Sequence, residues 1–241
     1  MRILEYTSLR STNSEMARLV DSLFHGDVIV TDEQTAGRGQ RGNSWEAEPG
    51  KNLTFSLFLK PEKLRAADSF LLSMAISVGI VDALNKILFP EEVTVKWPND
   101  IYWKDLKLAG ILIENSFVGP YVDYSIVGIG LNVNQKNFLS DAPNPVSMSR
   151  ICGNDSDLKN VLNVVVESIL DVLSLIARPR PLIERYHSSL WRRAGFHLWR
   201  EPAGNVFEAQ IQSVAPTGHL TLEIVKGEKR IYAFKEVFPV I

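Results

Sequence analysis

Residues 37–42 read Gly-Arg-Gly-Gln-Arg-Gly and form the segment best suited to bind an anion. Three glycines in six residues allow the backbone to approach a ligand closely and to adopt positive φ angles. The guanidinium groups of Arg38 and Arg41 suit a phosphate or a carboxylate. A hairpin tip with solvated arginines is the simpler interpretation of such a loop on its own, so the surrounding motifs decide between the two.

The pentapeptide Lys-Trp-Pro-Asn-Asp at 96–100 carries two polar side chains at the end of a predicted strand. Pro98 ends that strand and fixes where the next side chains point. The oxygens of Asn99 and Asp100 can reach a ligand or a Mg²⁺ ion. An Asx-type turn is the structural alternative for this pair.

Two further strand-like segments place polar groups beside this one. Lys107 opens the run 107–114 and is either a solvated lysine or an ammonium inside a cleft, facing a carboxylate or an acyl phosphate. Asn132 follows Gly128 and Gly130 in a segment that also reads as a core strand with glycines for tight packing. The amide of Asn132 can in addition read an adenine edge.

Neutral hydrogen-bonding groups precede the glycine loop. Ser11, Thr12 and Asn13 stand where a helix is predicted to begin, and Thr12 with Glu15 fits a capping box. Hydroxyl and amide groups also match a urea ring, which has two donors and one strong acceptor. Gln34, at the end of the preceding strand, can supply both a donor and an acceptor.

Composition excludes several classes of protein. A net charge of −2 gives no general attraction to nucleic acid. The single cysteine, Cys152, excludes an internal disulfide framework and a cysteine-rich zinc site, and the four histidines show no metal-ligand spacing. We see no signal peptide and no apolar run of the roughly 18 residues that span a bilayer. The expectation is a cytoplasmic protein without a membrane segment.

The hydrophobic pattern predicts a mixed α/β domain over 1–192 and a small β-barrel domain over 193–241. The loop 135–149 is long for a compact domain and is predicted to be a mobile lid. Helices are expected over 12–22, 67–88, 158–177 and 182–191, with Pro179 and Pro181 as breakers; strands over 27–31, 52–60, 93–95, 108–114, 121–133, 206–214, 220–225 and 229–234.

The ordered motifs between Ser11 and Asn134 resemble the catalytic domain of biotin protein ligases. They run STN, Q, GRGxxG, W, GxNL, KWPND, K-LAGIL-E and G-G-NVN. The resemblance implies an α+β fold, a mixed sheet with packed helices of the class II synthetase-like type, followed by a small SH3-like β-barrel. It implies ATP-dependent attachment of biotin to a lysine of a biotin carboxyl carrier domain through biotinyl-5′-AMP, with Mg²⁺ as cofactor.

The same resemblance assigns roles to residues. Lys107 and Arg38 are expected to be catalytic, and Asp100 to contact Mg²⁺. The corresponding loop of the family usually reads GRGRxGR, so Gln40 and Asn43 stand here at two of its arginine positions. Gln40 is therefore expected to contact the ligand because of its position in the loop, but not as a cation. The biotin contacts are expected to be Ser11, Thr12, Asn13, Gln34, Arg38, Gly39, Gln40 and Lys107, and the nucleotide contacts Arg41, Asn99, Asp100 and Asn132.

The expected partners are biotin, ATP and the carrier domain. No DNA partner is expected, because the motifs begin at Ser11 and leave no room for the winged helix of the larger family members. The fold often dimerises through its sheet edge, which leaves a homodimer open. Two alternatives remain: a lipoate or octanoate ligase of the same superfamily, and a regulator that binds biotinyl-AMP without transferring biotin.

Overall fold

Two β-sheets and five α-helices make up the computed structural model, which describes residues 1–40, 44–88, 92–139 and 144–240. The first sheet has seven strands in the order β1-β2-β3-β7-β6-β5-β4, and only β1 and β2 pair in parallel. Its strands are β1 (Ile3–Leu9), β2 (Val28–Gln34), β3 (Leu53–Leu59), β4 (Val93–Lys96), β5 (Asp100–Trp103), β6 (Leu106–Val118) and β7 (Tyr121–Leu131).

The second sheet is antiparallel, in the order β11-β10-β9-β8-β12. Its strands are β8 (His197–Arg200), β9 (Val206–Val214), β10 (Leu220–Ile224), β11 (Lys229–Tyr232) and β12 (Phe238–Pro239), and the helices are α1 (Thr12–Arg18), α2 (Phe70–Ile87), α3 (Met148–Cys152), α4 (Leu158–Leu173) and α5 (Pro179–Ser188).

Helices cover both faces of the first sheet, which explains why every residue of β3 is buried. On one face Phe55 and Leu57 belong to the main core, together with the apolar residues of α2 and α4. On the other face Phe58 packs with Met16 of α1. Polar Ser56, fully buried in the same strand, therefore lies where alternation would place it, on the α1 face.

Two segments, Ala66–Ile87 and Leu158–Ala177, are long and apolar enough by composition to cross a bilayer. In this fold α2 and α4 instead pack against each other and the sheet. The contact is close at Gly79, where an added Cβ would lie 2.6 Å from the Cα of Ile169. A glycine in a helix interior lowers helix propensity by about 1 kcal/mol relative to alanine, so its presence here follows from backbone packing.

Several sequence predictions of element boundaries were wrong. Thr12 is not the cap of a capping box: Ser11 holds that position without a side-chain hydrogen bond, because the Thr12 hydroxyl lies beside Ser56. The first helix ends at Arg18, and a 3-10 turn covers Val20–Ser22. The strands β1, β5, β8 and β12 were not predicted.

The prolines of α5 were also misread. Pro179 is the first residue of the helix, where its fixed φ fits and no amide hydrogen is needed. The loop 135–149 is shorter than expected, since α3 begins at Met148 and residues 144–146 pair with Lys107. Residues 140–143 of this loop lie outside the described residues, and its role as a mobile lid stays a prediction.

The two sheets contact each other through the segment after β4. Trp97 Nε1 donates to the carbonyl of Gly218 at 3.0 Å, and the Trp97 ring meets Phe234 edge-on at 6.3 Å between centroids. The amide of Val214 donates to His187 Nε2 at 2.9 Å.

We propose the domain boundary after residue 192 that the sequence predicts, since the second sheet begins at His197.

The α2–α4 contact yields a prediction of stability. Gly79→Ala should lower the free energy of unfolding by about 1–3 kcal/mol, because the methyl group must displace the backbone of α4. Helix propensity alone predicts the opposite sign. Urea unfolding followed by circular dichroism measures the difference, with Lys86→Ala on the exposed side of α2 as control. A more stable Gly79→Ala variant would contradict the close packing described here.

Candidate functional site

The predicted urea-binding residues converge where α1 begins above the sheet. The amide of Thr12 donates to Gln34 Oε1 at 2.8 Å. The Thr12 and Ser56 hydroxyls lie 2.8 Å apart, and Ser56 Oγ donates to Asn13 Oδ1 at 2.6 Å. Ser11, Thr12 and Asn13 are all buried. The start of α1 thus presents neutral polar groups to the interior, and an internal network fixes them.

Glycines on the two central strands make room for this arrangement. A Cβ at Gly128 would lie 2.5 Å from Asn13 Oδ1, and one at Gly130 would lie 2.2 Å from the ring of Trp45. Gly110 on the neighbouring strand leaves space for the same ring, at 3.1 Å. The sheet therefore has no Cβ atoms at these three positions, and Trp45 and Asn13 lie in the space that this leaves.

Arg38 joins this pocket from the glycine loop. Its Nη2 lies 3.1 Å from Glu114 Oε2, and the same oxygen accepts a hydrogen bond from Asn13 Nδ2 at 2.7 Å. The free volume of the pocket is about 40 Å³. The lining residues are Ser11, Thr12, Asn13, Gln34, Arg38, Trp45, Phe55, Gly110, Ile111, Leu112, Gly128, Ile129 and Gly130.

Lys107 belongs to a charged cluster beside the pocket. Its Nζ lies 2.8 Å from Asp100 Oδ1 and 5.7 Å from the centroid of the Trp45 ring. Lys96 Nζ lies 3.6 Å from the other oxygen of Asp100. Burial lowers the pKa of Lys96, Asp100 opposes this shift, and Lys107 reinforces it. The cluster is therefore two ammonium groups that share one carboxylate, with net positive charge next to Trp45.

Gln40 and Asn99 lie apart from the Ser11 group. Both line a second cavity of about 280 Å³ between α2, β6 and the second sheet, whose other walls include Ser69, Phe70 and His219. The Asn99 amide nitrogen donates to the carbonyl of Ile111 at 2.8 Å, so this side chain also pins the β4–β5 turn to β6.

Asn132 lies at the end of β7 and is buried. Its Nδ2 donates to the carbonyl of Val146 at 3.1 Å, while its Oδ1 is buried and has no partner among the described residues. A free buried acceptor suits a donor brought by a ligand.

Gly39 links Arg38 to Gln40, and Arg41 lies outside the described residues.

No three His, Cys, Asp or Glu side chains come together as metal ligands in the described part of the chain. Asp100 provides one carboxylate, which Lys96 and Lys107 already accompany. One carboxylate is enough for a Mg²⁺ ion that arrives on the phosphates of a nucleotide. The donor set thus fits a metal that enters with its substrate better than a resident metal.

Four residues of the site received no role from the sequence. Ser56 connects Thr12 to Asn13. Its only signal in the sequence is a hydroxyl residue in a strand that is mostly apolar and also contains Thr54. Lys96 and Glu114 belong to the KWPND and K-LAGIL-E motifs, but only the fold shows which groups their side chains contact. Trp45 forms a wall of the pocket, and its buried Nε1 has no partner among the described residues.

Comparison with known proteins agrees with this geometry. A model of the "Biotin/lipoate A/B protein ligase family" matches residues 5–132, which is more than half of the chain. The bifunctional ligase/repressor BirA of Escherichia coli (strain K12) is 40% identical over 123 residues, 51% of this chain and 38% of that protein. The biotin--[acetyl-CoA-carboxylase] ligase of Paracoccus denitrificans is 39% identical over 126 residues, 51% of each chain. The chain thus spans about half or less of the length of these relatives.

The fold has solved counterparts. Biotin protein ligase from Aquifex aeolicus, in complex with biotin and ATP, superimposes with a TM-score of 0.82 at 23% identity and covers 99% of this chain and 98% of that one. This likeness confirms the α+β fold class, with its mixed sheet, packed helices and second antiparallel sheet. With the family model and the shared motifs, it shows that the chain belongs to the biotin/lipoate A/B protein ligase family.

Proposed function

We propose that this chain is a biotin protein ligase. It joins biotin and ATP to form biotinyl-5′-AMP and then transfers the biotinyl group to a lysine of a biotin carboxyl carrier domain. One observation carries the proposal: a pocket of neutral hydrogen-bonding groups lies beside a cationic cluster, with Trp45 between them. The names of the relatives as ligases, and the Aquifex complex with biotin and ATP, support the same activity.

The neutral pocket suits the urea ring of biotin. A urea has two N–H donors and a carbonyl acceptor and carries no charge, so a site for it needs donors and acceptors without an unpaired ion. Thr12 and Asn13 supply such groups, and Gln34 Nε2 has no partner among the described residues and can donate. The space above the three glycines leaves room for a ring once Trp45 moves.

The cationic side suits the reacting carboxylate and phosphate. In the first step a biotin carboxylate oxygen attacks the α-phosphorus of ATP, and the bond to pyrophosphate breaks. Two anions approach each other, so Lys107 and Arg38 offset their repulsion and stabilise the charge that develops. In the second step the lysine amine of the carrier attacks the acyl carbon, AMP leaves with the bonding electrons, and the amine loses a proton.

The nucleotide groups follow from the same arrangement. Asp100 would hold the Mg²⁺ that accompanies ATP, which neutralises phosphate charge. Asn132 would accept from the adenine amino group through its unpaired Oδ1. In the glycine loop, Arg41 remains a proposed contact of the nucleotide, and Gln40 remains a proposed contact of biotin. The loop 135–149 would exclude water from the mixed anhydride, which hydrolyses readily.

The partner proposals rest on the same function. The second substrate is a carrier domain of a carboxylase, and the net charge of −2 supplies no attraction to DNA. A homodimer through the sheet edge and a cytoplasmic location are retained as predictions.

The family also contains lipoate ligases, and ATP–pyrophosphate exchange separates them from the proposed activity. We expect exchange with purified protein to depend on biotin and to be at background with lipoate or octanoate, because neither acid offers a urea to the Thr12 network. Exchange driven by lipoate or octanoate would assign the chain to that branch instead. Binding of biotinyl-AMP without any exchange would indicate a regulator.

Lys107→Ala should reduce the rate of biotin-dependent exchange by about 100- to 1000-fold, the usual loss when one preorganised charge-stabilising group is removed. Lys159→Ala is the matched control, since Lys159 lies on α4 and pairs with Glu5 at the surface. Circular dichroism should show both variants folded. A Lys107→Ala enzyme with the turnover of the control would refute the assigned role.

Gln40 replaces a family arginine, and fewer cations over the phosphate should weaken the hold on biotinyl-AMP. We predict that Gln40→Arg releases the intermediate more slowly than the natural chain, by about tenfold for one added charge-assisted contact. Release is measured by trapping free biotinyl-AMP after a single turnover without carrier. Gln40→Met, which adds no charge, is the control, and equal release by the arginine variant would contradict the prediction.

A further inference from the structure

Glu114 belongs to a quoted motif, but the proposed mechanism gives it no role. It lies on β6, and its Oε2 accepts hydrogen bonds from Asn13 Nδ2 at 2.7 Å and from Arg38 Nη2 at 3.1 Å. An ionised carboxylate only accepts hydrogen bonds. Asn13 must therefore turn its NH₂ group towards Glu114 and its carbonyl oxygen away, towards Ser56.

This orientation dictates the direction of the remaining bonds. Asn13 Oδ1 is an acceptor, so the single hydroxyl hydrogen of Ser56 points to it across 2.6 Å. Ser56 then has only lone pairs left for Thr12, whose oxygen is 2.8 Å away. The Thr12 hydroxyl hydrogen therefore points either to Ser56 or to Gln34 Oε1, which lies 3.3 Å from Thr12 Oγ1. Gln34 Oε1 also accepts a hydrogen bond from the Thr12 amide at 2.8 Å, and its two lone pairs allow both bonds.

Thr12 consequently faces the pocket with lone pairs and no available hydrogen. We propose that Glu114 is a positioning residue that fixes the donor–acceptor pattern of the pocket, making Thr12 an obligate acceptor for a ligand N–H. Three hydrogen bonds transmit this effect, from Glu114 through Asn13 and Ser56 to Thr12. The inference deepens the proposed function and rests on it, because the ligand that matches an acceptor at Thr12 is the N–H of a urea.

Removing the charge of Glu114 leaves Asn13 Nδ2 with its long contact to the carbonyl of Leu112, at 3.5 Å, which holds the amide orientation only weakly. In Glu114→Gln the new amide can donate to Asn13 Oδ1, which allows Asn13 to flip and donate to Ser56. Ser56 then donates to Thr12, and the Thr12 hydroxyl hydrogen can point to a ligand oxygen in the pocket in place of its 3.3 Å contact with Gln34 Oε1. The pocket can then accept a ligand oxygen where it previously required an N–H.

The test uses biotin and two carbamate analogues, in each of which oxygen replaces one N–H of the urea. Binding is measured by calorimetry, so the readout does not depend on ligation. The natural chain should reject one carbamate by on the order of 100-fold relative to biotin, because two oxygens would face each other. In Glu114→Gln this ratio should fall at least about tenfold as the Thr12 hydrogen is released.

A second variant distinguishes two effects of Glu114→Gln: the reversed direction of the hydrogen bonds and the loss of the ion pair with Arg38. In the double variant Asn13→Asp with Glu114→Gln, residue 13 can only accept, so Ser56 must again donate to it. The ratio should return to within about threefold of the natural chain, although Arg38 still lacks a carboxylate at position 114. Glu184→Gln, which loses a surface pair with Arg180, is the matched control and should keep the ratio.

An unchanged ratio in Glu114→Gln would overturn the inference, and so would a double variant that stays as permissive as the single one. Pyrophosphate exchange is measured on the same preparations. A natural chain that binds biotin with the expected ratio but shows no exchange would overturn the proposed function and support the pocket inference. A natural chain that does not bind biotin would overturn both.

Discussion

The close approach of side chains to the floor of the sheet is the constraint on which the site depends. Gly128 and Gly130 on β7 and Gly110 on β6 remove the Cβ atoms from three neighbouring positions on one face, and Asn13 and Trp45 lie in the space that results. An alanine at position 130 would overlap the indole at 2.2 Å. Helices α2 and α4 cover the opposite face, which keeps the floor rigid from behind.

The order of the strands in the sheet then determines which functional side chains lie next to each other. Because β7 pairs with both β3 and β6, Ser56 of β3 and Glu114 of β6 flank the same central strand. Asn13 bridges them from α1. Asp100 of β5 pairs opposite Gly110, which brings Lys107 to the edge of Trp45. The neutral pocket and the cationic cluster are therefore neighbours on one sheet, although their residues are far apart in sequence.

Much of this could be predicted from the sequence, for identifiable reasons. Helix α4 was predicted from its amphipathic pattern, α2 from a long segment that is apolar nearly all round, β3 from its alternation, and β6 and β7 from two apolar runs joined by a Gly-Pro turn. The order of the motifs gave Thr12, Asn13, Gln34 and Lys107 as candidate site residues. Short strands such as β5 have too few residues to show a pattern. The capping-box prediction at Thr12 failed because a long-range contact with Ser56 uses the hydroxyl that a local rule assigned to the helix end.

Residues that act through others were beyond the reach of local patterns. Ser56 and Glu114 show their roles only when the pairing of strands places them on either side of Asn13. Gln40 was grouped with Arg38 by its position in the family's glycine loop, yet the two residues line different cavities. Sequence spacing indicates which residues share an element, whereas tertiary contacts decide which share a ligand.

The two ion pairs of the site differ in how firmly they hold their cations. The side chains of Arg38 and Glu114 are both more than 40% exposed. Ion pairs this exposed contribute about 0–1 kcal/mol to stability. Arg38 can therefore exchange Glu114 for an anionic ligand at little cost. The pair of Lys107 with Asp100 is only 22% and 16% exposed. Solvent screens it less, so Lys107 is held in place before any substrate arrives. In the proposed mechanism, a fixed ammonium and an exchangeable guanidinium would share the task of stabilising charge. The ammonium would avoid reorganisation during the reaction, and the guanidinium would turn from Glu114 to the ligand.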